Sequence, residues 1–530
     1  MTPRRLSVLD TGLACLSGML LALSFPLTET FAGLPWLAWT ALVPLGLSAR
    51  RHSPSEALFA GWLSGTVAAL AILAWVVIVM KTYGELPLLI SLLLLLLLAA
   101  YVGLYIGLFA AGWRWMEERR PLWGWWFAPV LWVTLEWLRG HLLSGFPWAL
   151  LGYSQYRQVI LIQIADVTSV YGVSFLIVLA NVALVYLIDE LFGGFIGATI
   201  AGRPPLARPR FLPIVAALLL IAGALWYGQW RMATVTASLT PGLRVGLVQG
   251  NIPQEVKWDP EMRQTTVERY ERLTREVAAQ GAELIVWPEA AAPFIFNEEE
   301  DYQTAIRSLA VETHHYLLFG SPTITHDDVL ALFNSAYLLN PDGTTQARYD
   351  KLHLVPFGEY VPLGPLLGFV NKLVPGVGDF IPGRGPVPME IEGRQLGVMI
   401  CFEIIFPELV RQLPRDGARI IATITNDAWF GHSAAPLQHF SMAVFRSVEH
   451  RTPLIRAANT GISGFVDPIG RIGQTSGLFV EAALVDTIQV SSIRTVYTRA
   501  GDIFAIGCGI LVAVLMLIGR RHPHSTTRDA

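Results

Sequence analysis

Three side chains in the second half of the chain are of types that could act together: Glu289 in "AELIVWPEA", Lys351 in "YDKLHLVPFGEY" and Cys401 in "GVMICFEIIFPE". A carboxylate can take a thiol proton, an ammonium can stabilise the thiolate and the oxyanion it creates, and a thiolate attacks carbonyl carbon. A thiol on a sharp strand-to-helix turn has free backbone N–H groups beside it for an oxyanion, and its sulfur is expected to be exposed. Each residue has an ordinary alternative: Glu289 beside a helix N-cap, Lys351 as a solvated loop cation, Cys401 as a core filler. The chain has 3 cysteines. Cys15 and Cys508 lie in uncharged apolar runs, so Cys401 is the one expected to meet water, with no disulfide partner there.

The elements that must position these groups read as α/β alternation over residues 231 to 500. "LRVGLVQGN" is a first strand, "PEMRQTTVERYERLTREVAAQG" an amphipathic helix, and "AELIVWPEA" a strand whose carboxyl end delivers Glu289. "HYLLFGSPT" and a hairpin turned at Asn340-Pro-Asp-Gly343 lead to Lys351. "RQLGVMICFE" is a strand stopping at the cysteine, followed by the helix "IIFPELVRQLPRDG"; "ARIIATITNDAWFG" and "PLIRAANTGISGFVDPIGR" supply further strands. Asn426 and Asp427 follow one of these and are expected to shape a pocket floor.

The rest of the chain is of another kind. Over 530 residues, 53% are hydrophobic and 15% charged, too apolar for solubility throughout, and a net charge of −3 suggests no nucleic-acid partner. Apolar windows fall at residues 11 to 28, 30 to 49, 57 to 80, 86 to 113, 121 to 135, 167 to 188, 211 to 230 and 503 to 519. They predict a multi-pass α-helical membrane domain of eight spans: seven in residues 1 to 230 and the last in residues 501 to 530. No small-residue cleavage site follows the first window, which reads as a retained helix. Arg4 and Arg5, Arg50 and Arg51, Arg114, Arg119 and Arg120, Arg203, Arg208 and Arg210, and Arg520 and Arg521 fall on alternate connections. Both termini are therefore expected in the cytoplasm and residues 231 to 500 outside it, in the periplasm of a bacterium. That space is oxidising, so an unpaired thiol there suggests use. No HExxH or Cys-His cluster, serine elbow or phosphate-cradling loop is present, and neither metal nor cofactor is expected.

The three motifs, in this order and at these separations, resemble the Glu-Lys-Cys pattern of the nitrilase superfamily, whose fold is an α/β αββα sandwich. Joined to the membrane domain, with "QGNIPQEVKWD" at the start and "SGFPWALLGYSQ" in an outer loop, the whole chain resembles the membrane N-acyltransferase branch of that superfamily. The resemblance makes Cys401 the nucleophile, Glu289 the general base and Lys351 the electrostatic stabiliser. Glu359 matches a glutamate that holds the lysine, and Glu403 one that follows the nucleophile. Trp258 and Trp148 match substrate-contacting positions, and Phe402 stands where tyrosine is frequent, leaving its backbone N–H for the oxyanion. The implied partners are a phospholipid acyl donor and a diacylated apolipoprotein acceptor; the implied product is an amide formed through a cysteine thioester.

Fusion to a membrane domain follows from the hydrophobic effect. Drawing a chain of ~15 methylenes into water costs on the order of 12 kcal/mol, so the site should face lipid. Residues 360 to 380, "YVPLGPLLGFVNKLVPGVGDF", read as an apolar arm that dips into lipid, with Leu366, Leu367 and Phe369 as contacts. Two alternatives stay open. A membrane-tethered amidase would use water as acceptor, and a transporter or scaffold would form no thioester and would call for ionisable groups in mid-membrane.

Overall fold

The computed structural model describes residues 6–199, 211–326, 330–361 and 380–520. Leu366, Leu367 and Phe369 of the expected arm lie outside the described residues.

Among the described residues, five helices are long and apolar enough to cross a membrane: Pro54–Ile72, Leu88–Arg119, Val170–Phe192, Leu212–Ala237 and Ile503–Arg520. Val8–Leu23 and Gly124–Arg139 are shorter, at 16 residues each. The window at 30 to 49, expected as one helix, is a correction: it forms a 3-10 turn at Pro35–Trp39 and a separate helix at Val43–Ala49. Pro35 and Pro44 explain the break, since each lacks the N–H that a continuous helix would need and sits instead at a helix start. Ser53 accepts from Glu56 N and starts the Pro54–Ile72 helix with a capping box. That helix meets Leu88–Arg119 through two facing small-xxx-small stretches, Gly61 with Gly65 and Gly103 with Gly107. A Cβ on Gly65 would lie 2.7 Å from Gly103 Cα, so only glycine permits this approach.

Helix ends alternate between two sides of the bundle. On one side Arg50 meets Glu117 at 3.2 Å and His52 meets Asp10 at 3.4 Å. On the other, Gln438 of the α/β domain donates to Pro26 O at 2.7 Å and Ile72 O at 3.0 Å, and Trp137 Nε1 donates to Asp502 at 2.9 Å.

Among the described residues the α/β domain has two six-stranded sheets. The first has order β12-β1-β2-β3-β4-β5 and the second β11-β10-β9-β8-β7-β6. The ranges are β1 Leu239–Gln249, β2 Leu284–Val286, β3 Tyr316–His326, β4 Leu330–Leu339, β5 Thr345–Asp350, β6 Met389–Ile391, β7 Arg394–Ile400, β8 Ile420–Thr425, β9 Leu454–Ala458, β10 Gly464–Val466, β11 Ile472–Thr475 and β12 Ala482–Ser491. The strands alternate with period two. Val245, Leu247, Leu284 and Val286 of the first sheet pack on Val398, Ile400, Ala422 and Ile424 of the second. Ile285 instead faces the helices Arg263–Ala279 and Glu300–Thr313, while Met399 and Ile421 face a second helical layer. Helix, sheet, sheet, helix is the nitrilase-like sandwich.

The second helical layer is also the joint with the bundle. The helix Ala435–His450 is buried along its length, and its apolar residues share one core with the membrane helices. Its polar residues are met from the bundle side: Arg446 donates to Tyr153 Oη at 2.8 Å, and Trp148 Nε1 donates to Gln438 at 2.7 Å.

Candidate active site

Carboxyl ends of strands from both sheets converge on one buried cluster. Glu289 leaves the turn after β2, Lys351 follows β5, Cys401 follows β7 and Asn426 follows β8. Gly320 of β3 lets the Glu289 turn approach: a Cβ there would lie 2.6 Å from Ala290 N. Glu289 Oε1 accepts from Asn334 Nδ2 at 2.8 Å and faces Lys351 Nζ at 3.3 Å, while Oε2 accepts from Asn426 N at 2.9 Å. The carboxylate therefore bridges the two sheets. Lys351 Nζ also bonds Glu359 Oε1 at 2.9 Å, and Glu359 Oε2 accepts from Val355 N at 2.8 Å. The expected lysine clamp is present, with Asn334 joining both carboxylates through a 2.7 Å bond to Glu359.

Cys401 has φ 54°, a left-handed conformation that forces the sharp turn between β7 and the 3-10 helix Cys401–Ile405. The turn matches the expectation; the exposure does not. Cys401 is only 8% exposed, because it packs in the core between the two sheets and His439 of the helix Ala435–His450 meets its carbonyl. Its thiol interacts with Glu289, Lys351 and Thr425.

The electrostatics assign protonation states. Burial works against the Glu289 charge, but Lys351, the Asn334 amide and Lys257 outweigh it and hold the carboxyl below its ordinary value. Burial works against Lys351 too, yet Glu359 and Glu289 keep it above the usual ammonium range. For Cys401, burial and then the Glu289 charge push the thiol up, with Lys351 pulling the other way. The resting site is a carboxylate, an ammonium and a neutral thiol, the state from which a base removes a thiol proton.

Comparison with known proteins adds a decisive observation. Residues 17–183 match the Apolipoprotein N-acyltransferase N-terminal domain and residues 244–498 match Carbon-nitrogen hydrolase. The apolipoprotein N-acyltransferase of Geobacter metallireducens is 45% identical over 98% of this chain and 97% of its own length. The chain belongs to the apolipoprotein N-acyltransferase family. That of Bradyrhizobium diazoefficiens is 34% identical over 73% of this chain and 72% of its own. An amidase of Nesterenkonia AN1 from the nitrilase superfamily is 21% identical, with a TM-score of 0.37 over 47% of this chain and 90% of its own.

Within this apolipoprotein N-acyltransferase family member, the remaining expected residues divide by position. Glu403 is fully buried and lies behind the thiol. Its carboxylate accepts from Ile400 N and Leu352 N at 2.7 Å, His353 N at 3.1 Å and Tyr349 Oη at 2.8 Å. It ties the Cys401 turn to the Lys351 loop. Burial pushes it up to about 7, with these donors and Lys351 opposing. Glu403→Gln presents an amide to donors and is expected to cost about 2–4 kcal/mol, read as a lower thermal unfolding midpoint in detergent. Phe402 packs on Phe406, ring centroids 5.2 Å apart. Trp258 is 38% exposed, whereas Trp148 is buried, 4.8 Å from the Trp75 ring and stacked 5.8 Å from His439.

Four groups escaped the sequence reading or were read without their role. Asn334 sits inside a strand, where one amide among apolar neighbours gives no signal. Asn426, expected at the pocket floor, supplies a backbone N–H to Glu289. His439 Nε2 meets the Cys401 carbonyl at 3.1 Å and its Nδ1 meets Arg456 Nη2 at 3.0 Å. A carbonyl only accepts, so Nε2 carries a proton, while Nδ1 also faces Asp427 Oδ1 at 3.2 Å; burial and then the Arg456 charge pull the ring below its ordinary value, with Asp427 opposing. The fourth, Lys257, precedes Trp258 and turns inward, its Nζ donating to Glu289 O at 3.2 Å.

Inside the bundle lies a cavity of about 70 Å³. Leu21, Phe25, Ala68, Ala69, Ile106 and Trp148 are among the residues lining it. Trp148 is thus shared between the cavity wall and the stack on His439, one hydrogen bond from the Cys401 carbonyl.

Proposed function

We propose that the chain transfers a fatty acyl group from a glycerophospholipid to the α-amino group of a diacylated apolipoprotein, through a thioester on Cys401. The observation that carries this reading is a Glu-Lys-Cys cluster packed on a bundle that holds a mostly apolar cavity, with Trp148 shared between the cavity wall and the His439 ring that meets the Cys401 carbonyl. An enzyme acting on small soluble amides has no use for such a cavity; a lipid ester requires one, because its chains must stay out of water.

In this mechanism Glu289 takes the Cys401 proton as the sulfur attacks the ester carbonyl. The oxyanion is met by Lys351 and the Phe402 N–H. Collapse breaks the ester C–O bond, Glu289 returns the proton to the departing oxygen, and lysophospholipid leaves. The acceptor amine, with a reference pKa near ~8, is partly neutral at pH 7. It attacks the thioester, Glu289 collects its proton, and collapse expels sulfur, which regains a proton as the amide forms. Two substrates using one site in turn give ping-pong kinetics.

The assignment of domains and orientation belongs to the same proposal. Residues 1–230 form the membrane domain, 231–500 the catalytic domain, and 501–530 the last span and a tail. Eight crossings, with the broken stretch from Pro35 to Ala49 as the second, agree with helix ends that alternate between the arginine-bearing side and the catalytic side. The α/β domain then stands in the periplasm of a bacterial inner membrane, with both termini cytoplasmic.

Intact mass spectrometry of the full chain after incubation with phospholipid tests the reading. An acyl adduct discharged by a diacylated lipopeptide supports it. Absence of any adduct sinks it, and rapid discharge to water without an amine favours the amidase. A second expectation concerns the cavity. Ala69→Phe fills space at its wall and should shift preference toward shorter acyl chains by about tenfold or more, measured by competition between long-chain and short-chain donors.

A further inference from the structure

The strongest unassigned feature of the site is a second lysine. Lys257 is 1% exposed and sits in the segment after β1 that Ile252 anchors by donating its N–H to Asn459 Oδ1 at 2.9 Å. Its neighbour Trp258 points outward, and Lys257 points into the cluster. The ammonium donates once, to the main-chain carbonyl of Glu289 at 3.2 Å, and makes no other hydrogen bond among the described residues. The charged and titratable groups facing it are Glu289, from the turn after β2, and Cys401, from the turn after β7. Lys351 and Glu359 stand on the far side of Glu289. Asp427 lies beyond Cys401 and is paired with Arg456 at 2.8 Å. On its own segment the nearest polar contact is Gln254, whose carbonyl takes the Lys257 main-chain N–H.

We infer that Lys257 is a positioning residue of the active centre: it pins the Glu289 main chain and balances the charge of the buried site, so that Glu289 stays an ionised base. The inference rests on the proposed role of Glu289. Two carboxylates, the buried Glu289 and the part-buried Glu359, surround Lys351. One ammonium leaves the cluster net negative, and a buried site with excess negative charge takes up a proton on its weakest acid. Lys257 supplies the missing positive charge from the side opposite the Lys351 clamp.

The two lysines differ in how they are held. Lys351 is gripped by two carboxylates, whereas Lys257 touches only a neutral carbonyl. Burial therefore dominates and pulls Lys257 down to about 8, against the opposing pull of Glu289 and Cys401. The sign follows. Glu289 works when ionised, so activity is lost as pH falls through its pKa, and removing a nearby cation raises that pKa. Lys257 works when protonated, so its contribution is lost as pH rises through about 8.

The test is single-turnover acylation of the full-length protein in detergent by a synthetic dipalmitoyl glycerophospholipid, without acceptor amine, followed by intact mass from about pH 3 to about pH 9.5. Lys257→Met is expected to acylate about tenfold or more slowly at neutral pH, with its acid limb moved up by about one unit. Lys257→Arg, which keeps the charge, is expected within about threefold of the parent and without the alkaline limb, since a guanidinium does not discharge there. A Met variant with the parent's pH profile overturns the inference, as do Met and Arg variants equally slow with unmoved limbs, which mark a packing role. Should Lys257→Met fail to fold, the Arg variant decides alone, a retained alkaline limb being the overturning result. If the parent itself forms no adduct, the acyl-transfer reading falls as well; an adduct with unmoved limbs removes only the role of Lys257.

Discussion

Cys401→Ala is expected to abolish both the acyl adduct and amide formation, with a loss on the order of 10⁴-fold or more. The magnitude follows from the proposed route. Every transferred acyl group resides on this sulfur, and no other thiol among the described residues lies near Glu289 and Lys351: Cys15 and Cys508 are on the helices Val8–Leu23 and Ile503–Arg520. Alanine is smaller than cysteine and leaves the Glu289, Lys351 and Glu403 contacts untouched, so the fold should survive. A normal thermal unfolding midpoint combined with absent adduct separates lost chemistry from lost structure. Residual amide formation within tenfold of the parent would show that the acyl group does not pass through Cys401.

Glu289→Gln is expected to slow acylation by about 10²–10⁴-fold, and a second measurement exposes the cause. The Glu289 charge is one of the forces that push the Cys401 thiol up. An amide removes that charge, so the thiol should ionise at lower pH and react faster with iodoacetamide at alkaline pH. Transfer slows while alkylation accelerates, because the group that carries the proton is gone although the sulfur has become more acidic. If both rates fell together, Glu289 would be a positioning residue only and the proton would go elsewhere.

Much of this arrangement was legible in the sequence because its signals are local. Strands ending at Glu289 and Cys401 are short apolar runs closed by a charged or reactive residue, and Asn340-Pro-Asp-Gly343 marks the hairpin between β4 and β5. The helix Ala435–His450 was not legible. Gln438, His439, Arg446, Glu449 and His450 share one arc of the helix, and such a polar arc reads as a side that faces water. That helix is buried on every side, and its polar groups find partners on Trp148, Tyr153 and Ser169 of the bundle, residues remote in sequence. The broken stretch from Pro35 to Ala49 was misread for the opposite reason. Its apolar content is continuous, and hydropathy does not register where proline removes a donor.

The order and identity of the reactive groups were set by the sequence alone, as were the apolar helices and the α/β alternation, because residue type and short-range periodicity suffice for each. Three things waited for the tertiary structure. The burial of Cys401 depends on two sheets packing around it and on the helix Ala435–His450 behind its turn. The ionised state of Glu289 depends on Lys351, Asn334 and Lys257 arriving from three different segments. The cavity exists only between helices. Charge states and cavities are properties of what surrounds a residue in space, and chain order does not encode those neighbours one by one.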